Sequence, residues 1–188
     1  MLIVASGLHT LNIRNGNGWD YNTVTGDKDY RANTAANAIG AVAGVLTGTF
    51  ILSTGYNLIR DVASNVLVDS VSLYFASKEK ISRLNRKTGD VIWSIPFPDD
   101  LPAKSNLLFT DSMILMVNNG YAYLGYRMMD YGKPFIAAFD RETGNQKFFS
   151  VFNTKDDPII GFRIIGTELF LLFKHRLEKY ALASGTLI

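Results

Sequence analysis

The feature that most constrains this chain is a turn that recurs four times between apolar strands. Its clearest copies are NRKTG (Asn85 to Gly89) and DRETG (Asp140 to Gly144), with Thr88 and Thr143 ahead of the glycines. An aromatic residue, Trp93 or Phe148, follows each glycine by four residues. Looser copies centre on Gly16 and Gly185, so the turn glycines are spaced 73, 55 and 41 residues. The pattern has a physical reason. An Asn or Asp side chain can accept hydrogen bonds from backbone N–H groups in the turn that follows it. The glycine then supplies a positive φ without steric cost, and the aromatic is placed to lie over a neighbouring unit. The last two spacings suit a four-stranded antiparallel unit with loops of different length, and the first is too long by about one element.

The strands LYFAS, MILMV, FIAAF and ELFLLF alternate only partly between apolar and polar residues, as expected where sheets are covered on both faces. Repeated sheets of this kind must stack on one another, and a propeller is the usual solution. The expected fold is therefore all-β, a partial β-propeller of about four four-stranded antiparallel blades. An incomplete first blade, beginning at its second strand, occupies residues 1–26. An apolar, Gly/Ala-rich insertion follows over 27–64, and about three further blades fill 65–188.

These residues resemble the quinoprotein-type (PQQ-like) propeller repeat, whose signature is A-x-D-x-x-T-G-x-x-x-W. NRKTGDVIW matches best and DRETGNQKF is a weaker copy. The resemblance covers about 65–188 and, more loosely, 1–26. In the first copy Trp19 stands three residues after Gly16, and in the fourth Ser184 replaces Thr and no tryptophan follows. The resemblance implies a ring closed by about seven or eight blades. A fragment of a larger propeller is the expected reading, with two combined chains or a four-bladed ring as alternatives. It also implies a bacterial periplasm or cell envelope as the compartment.

Composition narrows the chemistry. The 188 residues suffice for one domain burying roughly 70% of its unfolded surface, and a net charge of +2 argues against a nucleic-acid partner held by electrostatics. Zero cysteine removes disulfides, thiol catalysis, iron–sulfur clusters and thiolate zinc sites. His9 and His175 are the only imidazoles, too few for a histidine metal site, and satisfied polar roles are expected of both. The quinone-dependent dehydrogenases of the resembled family imply adjacent cysteines, a tryptophan platform, calcium and an aspartate base. Here cysteine is absent and Trp19 and Trp93 both stand at repeat turns. Members that keep the scaffold without a cofactor and bind proteins fit better, so no cofactor, metal or catalytic residue is expected.

Residues 32–59 contain no charge, and Gly40, Gly44 and Gly48 recur every four residues. On a helix they form a smooth ridge that lets two backbones approach closely. The length would cross a bilayer, yet Asn33, Asn37, Thr47 and Thr49 make a poor span. A helical insertion packed on the propeller or in an oligomer contact is expected, with a membrane-associated segment or a loop as alternatives. Met1 leads straight into a strand with no basic stretch or cleavage site, so no secretory signal is expected.

Two loop sets should share one propeller face. One carries Lys78, Lys80, Arg127, Lys133, Lys174, His175 and Arg176 against Glu79 and Asp130; the other carries Asp99, Asp100, Asp156 and Asp157 with Lys104 and Lys155. The charges nearly cancel, which reads as a solvated, salt-bridged face. The pairs Asp99–Asp100 and Asp156–Asp157 sit beside prolines and read as turn formers before calcium ligands and, last, before an acid/base pair. The longest connection within a blade, Asn118 to Pro134, gathers Tyr121, Tyr123, Tyr126, Arg127, Met128 and Tyr131. These residue types are enriched in interface cores, and the stretch can also extend its strands into a longer hairpin. The expected function is a non-catalytic scaffold for protein–protein interaction, its partner another protein or further propeller blades, a homodimer included. The alternatives are an envelope component anchored by 32–59 and a fragment of a quinone-dependent oxidoreductase.

Overall fold

A computed structural model describes residues 2–4, 7–11, 14–22, 63–77, 79–98, 105–124, 127–130, 133–153 and 157–188. Those residues form four antiparallel sheets of three or four strands in chain order and a separate two-stranded hairpin, with no helix among them. The 32–59 segment with Gly40, Gly44 and Gly48, and the helix expected there, lie outside the described residues. Blade 1 is β1 (Leu2–Val4), β2 (Gly7–Leu11) and β3 (Gly18–Asn22). Blade 2 is β4 (Leu67–Val68), β5 (Ser72–Ala76), β6 (Lys80–Asn85) and β7 (Val91–Pro96). Blade 3 begins with β8 (Ser105–Phe109) and β9 (Met113–Asn118). A two-stranded hairpin, β10 (Tyr121–Leu124) and β11 (Arg127–Asp130), then precedes β12 (Phe135–Asp140) and β13 (Gln146–Val151). Blade 4 is β14 (Ile159–Ile165), β15 (Glu168–Phe173) and β16 (Leu177–Ala181), with Leu187 bridged to Tyr180. Blades 2 and 3 are complete four-stranded meanders, the hairpin of blade 3 aside, whereas the outer two sheets show three strands each among the described residues.

Each core lies between two blades. Leu8, Trp19 and Tyr21 of blade 1 meet Leu73, Phe75 and Leu84 of blade 2. Tyr74, Ala76 and Ile81, on the opposite face of blade 2, meet Ile114, Phe135 and Phe139 of blade 3. Leu115, Val117 and Ile136 then turn to Leu169, Leu171 and Phe173 of blade 4. Successive residues of β5, β9 and β12 thus enter cores on opposite sides, which is why these strands read as continuous apolar runs. Where a face is open, alternation returns: in β15, Leu169, Leu171 and Phe173 are buried while Phe170 is half-buried and Leu172 exposed.

The turn joins each blade to the next. Asn85 Oδ1 accepts the amides of Lys87 (2.9 Å) and Thr88 (3.2 Å), and Asp140 Oδ1 those of Glu142 (3.1 Å) and Thr143 (2.9 Å). Gly89 and Gly144 follow with φ of 73° and 77°. A Cβ at Gly89 would stand 2.5 Å from Cδ2 of Trp19 in blade 1, and one at Gly144 2.8 Å from Cδ2 of Trp93 in blade 2. Phe148 lies against Gly185 in the same way. Both indoles add a hydrogen bond, Trp19 Nε1–H to the Arg86 carbonyl (3.1 Å) and Trp93 Nε1–H to that of Arg141 (3.3 Å).

The different spacing of Trp19 has a local cause. Blades 2 and 3 carry a β-bulge after Arg83 and Ala138, so their aromatics stand one residue further from the glycine. Blade 1 runs through this point without a shift, and Trp19 still pairs with Thr10 at the position where Trp93 pairs with Arg83 and Phe148 with Ala138.

Gly144→Ala should destabilise by roughly 2–5 kcal/mol, the left-handed φ and the displaced indole both contributing. Gly16, with φ 72° but no atom within 4 Å of an added Cβ among the described residues, should lose only roughly 1–2 kcal/mol on the same change. Denaturant unfolding of both variants measures the difference, and equal losses would mean that the ring contact adds nothing.

Candidate functional site

The hairpin β10–β11 springs from the middle of blade 3 on a hydrogen-bonded root. Asn118 is buried; its Nδ2 donates to Ser105 Oγ (2.9 Å) and its Oδ1 accepts the Gly120 amide (2.9 Å). Asn119 accepts Asn106 Nδ2 on its side-chain oxygen (3.1 Å) and the Ile159 amide on its carbonyl (3.0 Å), which ties the root to blade 4. Gly120 turns the chain with φ 74° against Pro134, whose Cδ would be 2.6 Å from a Cβ there. Beyond this root the chain forms a ladder of its own: Tyr121 opposite Asp130, Ala122 opposite Met129, Tyr123 opposite Met128, Leu124 opposite Arg127. Tyr121 is buried at the base. Tyr126 and Tyr131 lie outside the described residues.

The charges expected on a shared loop face are partly consumed by one another. Asp157 is buried, accepts the His175 amide (3.2 Å) and pairs with Arg176 Nη1. Arg176 also donates through Nε to Glu178 (2.6 Å), and its guanidinium lies 3.9 Å from the centroid of the Phe173 ring. Glu178 accepts the Tyr180 hydroxyl as well. Burial and then the Glu178 carboxylate push the Tyr180 hydroxyl far above its ordinary range. Lys133 Nζ donates to Asn153 (3.0 Å). Lys78, Asp99, Asp100, Lys104, Lys155 and Asp156 lie outside the described residues, as does the side chain of His9, whose backbone belongs to β2. No group of three or more His, Asp or Glu able to hold a metal occurs among the described residues.

One network is absent from the sequence reading. Asp69 accepts the amides of Val71 (2.8 Å) and Ser72 (2.6 Å), the Tyr74 hydroxyl (3.0 Å) and Nη2 of Arg141 from blade 3 (2.7 Å). Arg83, buried, donates to Ser72 Oγ (2.9 Å) and reaches Glu142 Oε2 (2.8 Å). The two guanidiniums lie 5.4 and 5.9 Å from the Tyr74 ring centroid, and that of Arg141 lies 4.4 Å from the Phe109 centroid. Burial alone would raise the Asp69 carboxyl, but Arg141 and the two amides outweigh it and hold the group well below the usual carboxylate range. The available signal was Arg83, a charge flanked by Ile81 and Leu84 in the strand KISRLN. Each partner in this network is occupied, so it clamps blades 2 and 3 and offers no free acid or base.

Four consecutive antiparallel sheets, joined face to face by a repeated turn, define the chain as a β-propeller. Comparison with solved structures agrees. The β-propeller domain of Cps50 (Swd1) from Myceliophteria thermophila is similar over 92% of this chain and 49% of that one, at TM-score 0.51 and 8% identity. A europium-containing methanol dehydrogenase is similar over 68% of this chain and 24% of that one, at TM-score 0.48 and 15% identity. BamB from Moraxella catarrhalis is similar over 70% of this chain and 50% of that one, at TM-score 0.33 and 14% identity. The first speaks for the fold alone, and the other two are too distant to carry an inference. The chain spans half or less of the length of each. No family model and no curated protein matches it.

Because the folded-state pKa of Asp69 is depressed below 3.8, its contribution to stability is complete above about pH 4 and lost as pH falls through the folded value. Asp140 behaves alike: the Thr143 amide and hydroxyl hold it at about 2. Thermal melts from pH 7 to pH 2 should show a steep loss below pH 4 in the wild type and a flatter one in Asp69→Asn. Parallel profiles would show that the clamp does not depend on the carboxylate.

Proposed function

We propose that the chain is a non-catalytic propeller scaffold of the quinoprotein-like type that binds a protein partner through the β10–β11 hairpin. The observation that carries the reading is the hairpin itself, a separate ladder on a root fixed by Asn118, Asn119, Gly120 and Pro134. The meander of blade 3 closes without it, since β9 and β12 pair directly from Asn118–Phe135 to Met113–Asp140. The sequence of the hairpin carries Tyr123, Tyr126, Arg127, Met128 and Tyr131, and tyrosine and arginine are the residue types that dominate binding energy at protein interfaces. Tyr121, buried, serves as the anchor of the hairpin.

The quinoprotein likeness is supported by the Asx-x-x-Thr-Gly turns and their aromatic caps. A cofactor-free version is favoured because both tryptophans are committed to blade joints, Trp19 over Gly89 and Trp93 over Gly144, and the chain has no cysteine.

Replacing Tyr123, Tyr126 and Arg127 together by Ala should weaken partner capture by about tenfold or more, with circular dichroism and melting temperature unchanged. Capture equal to wild type by the folded triple variant would remove the hairpin as the contact surface.

A further inference from the structure

Among the described residues the joint between blades is made three times and left half-made twice. One half is the onward face, formed by three register positions. In strand β2, β6 or β12, Leu8, Ile81 and Ile136 are fully buried against the following blade; the same position eight residues before the turn glycine in blade 4 is Leu177, which is 65% exposed. In the neighbouring strand Ala76 and Val117, paired with Ile81 and Ile136, are fully buried, and their counterpart Leu172, paired with Leu177, is 45% exposed. The capping position held by Trp19, Trp93 and Phe148 belongs in blade 4 to Ile188. Its amide donates to the Lys179 carbonyl (2.8 Å), one step on from the Tyr180–Leu187 bridge, and its side chain is 62% exposed.

The other half is the receiving face. Five residues before the turn glycine stand Leu84, Phe139 and Tyr180, all buried under the preceding blade, and in blade 1 Leu11, which is 58% exposed. Gly89, Gly144 and Gly185 each lie under a ring from the preceding blade, while Gly16 keeps the same positive φ with nothing above it among the described residues.

We propose that a second copy of this chain completes both halves. Blade 4 of one copy stacks on blade 1 of the other, Leu177 and Leu172 covering the partner copy's blade around Leu11, and Ile188 lying over Gly16 as the rings lie over Gly89, Gly144 and Gly185. The occupant is a second copy because the two bare faces are the complementary halves of one joint and sit on the same chain. A two-fold axis then satisfies both at once, and heterologous contacts that close in this way form a ring. The size agrees: the chain aligns over 49% of a propeller-domain chain, and two sets of four sheets make a ring of eight. The proposal uses no residue of the β10–β11 hairpin and stands independently of its function.

Light scattering behind a sizing column should give twice the chain mass of 20.9 kDa at micromolar concentration. Leu11→Asp and Leu177→Asp, both at exposed positions of the single chain, should each give a folded monomer. Mixing the two variants should restore dimers, because the intact Leu177 face of one meets the intact Leu11 face of the other. Ile188→Asp provides a second variant of the onward face should Leu177→Asp fail to fold. A wild-type monomer throughout, a dimer insensitive to Leu11→Asp, or masses that climb beyond two chains would each overturn the proposal.

Discussion

The structure depends on an aromatic ring laid on a glycine. At each internal joint the ring approaches to a distance that a Cβ would occupy, so the contact requires a residue with no side chain and a backbone that bends through positive φ. Both demands fall on one position of the turn, and in blades 2 and 3 the Asn or Asp four residues earlier holds that turn in shape by accepting its amides, a place that Ala181 takes in blade 4. In those two blades ring, glycine and Asx side chain work as a unit. The indole N–H adds direction, since it finds a carbonyl on the next blade only when the blades are correctly stacked. Around this joint the apolar faces supply bulk attraction without direction, and the charged clamp of Asp69, Arg83 and Arg141 fixes blades 2 and 3 at a second place.

Because each core lies between two blades and not within one, no sheet can bury its apolar residues alone. Stability passes from neighbour to neighbour, as in other repeat architectures. Among the described residues, blades 2 and 3 take part in two cores each and hold most of the fully buried side chains, and blades 1 and 4 take part in one each. Ser64 and Asn65 reinforce the central pair: Asn65 exchanges two hydrogen bonds with the Leu107 backbone, 2.7 and 3.0 Å, as a strand partner would.

Much of the fold was legible in the sequence because the turn depends on local chemistry. Asn85, Gly89, Asp140 and Gly144 declare their backbone roles by residue type, and continuous apolar runs such as LYFA and MILMV declare strands buried on both faces. The clamp was not legible. Asp69 and Arg141 are 72 residues apart in the chain, and their pairing is a product of blade stacking that no local pattern encodes. The candidate site was legible in part: the tyrosines, arginine and methionine stood out by composition, whereas the burial of Tyr121 and the separate ladder required the root formed by Asn118, Gly120 and Pro134. The loop charges were legible as a sum that nearly cancels, whereas the particular pairing of Arg176 with Asp157 and Glu178 arises only once blade 4 has formed.

The bulges of blades 2 and 3 bear on how such chains are recognised and how they diverge. One residue can be gained or lost beside the turn while the ring still reaches its glycine, because the bulge absorbs the change before the ladder resumes. Selection acting on the joint is then indifferent to a fixed count of residues. A search that insists on an aromatic four residues after the glycine passes over the blade of Trp19, whereas one that follows strand register finds it. Repeats held by such a joint can drift in length and composition until little but the cross-strand geometry is shared.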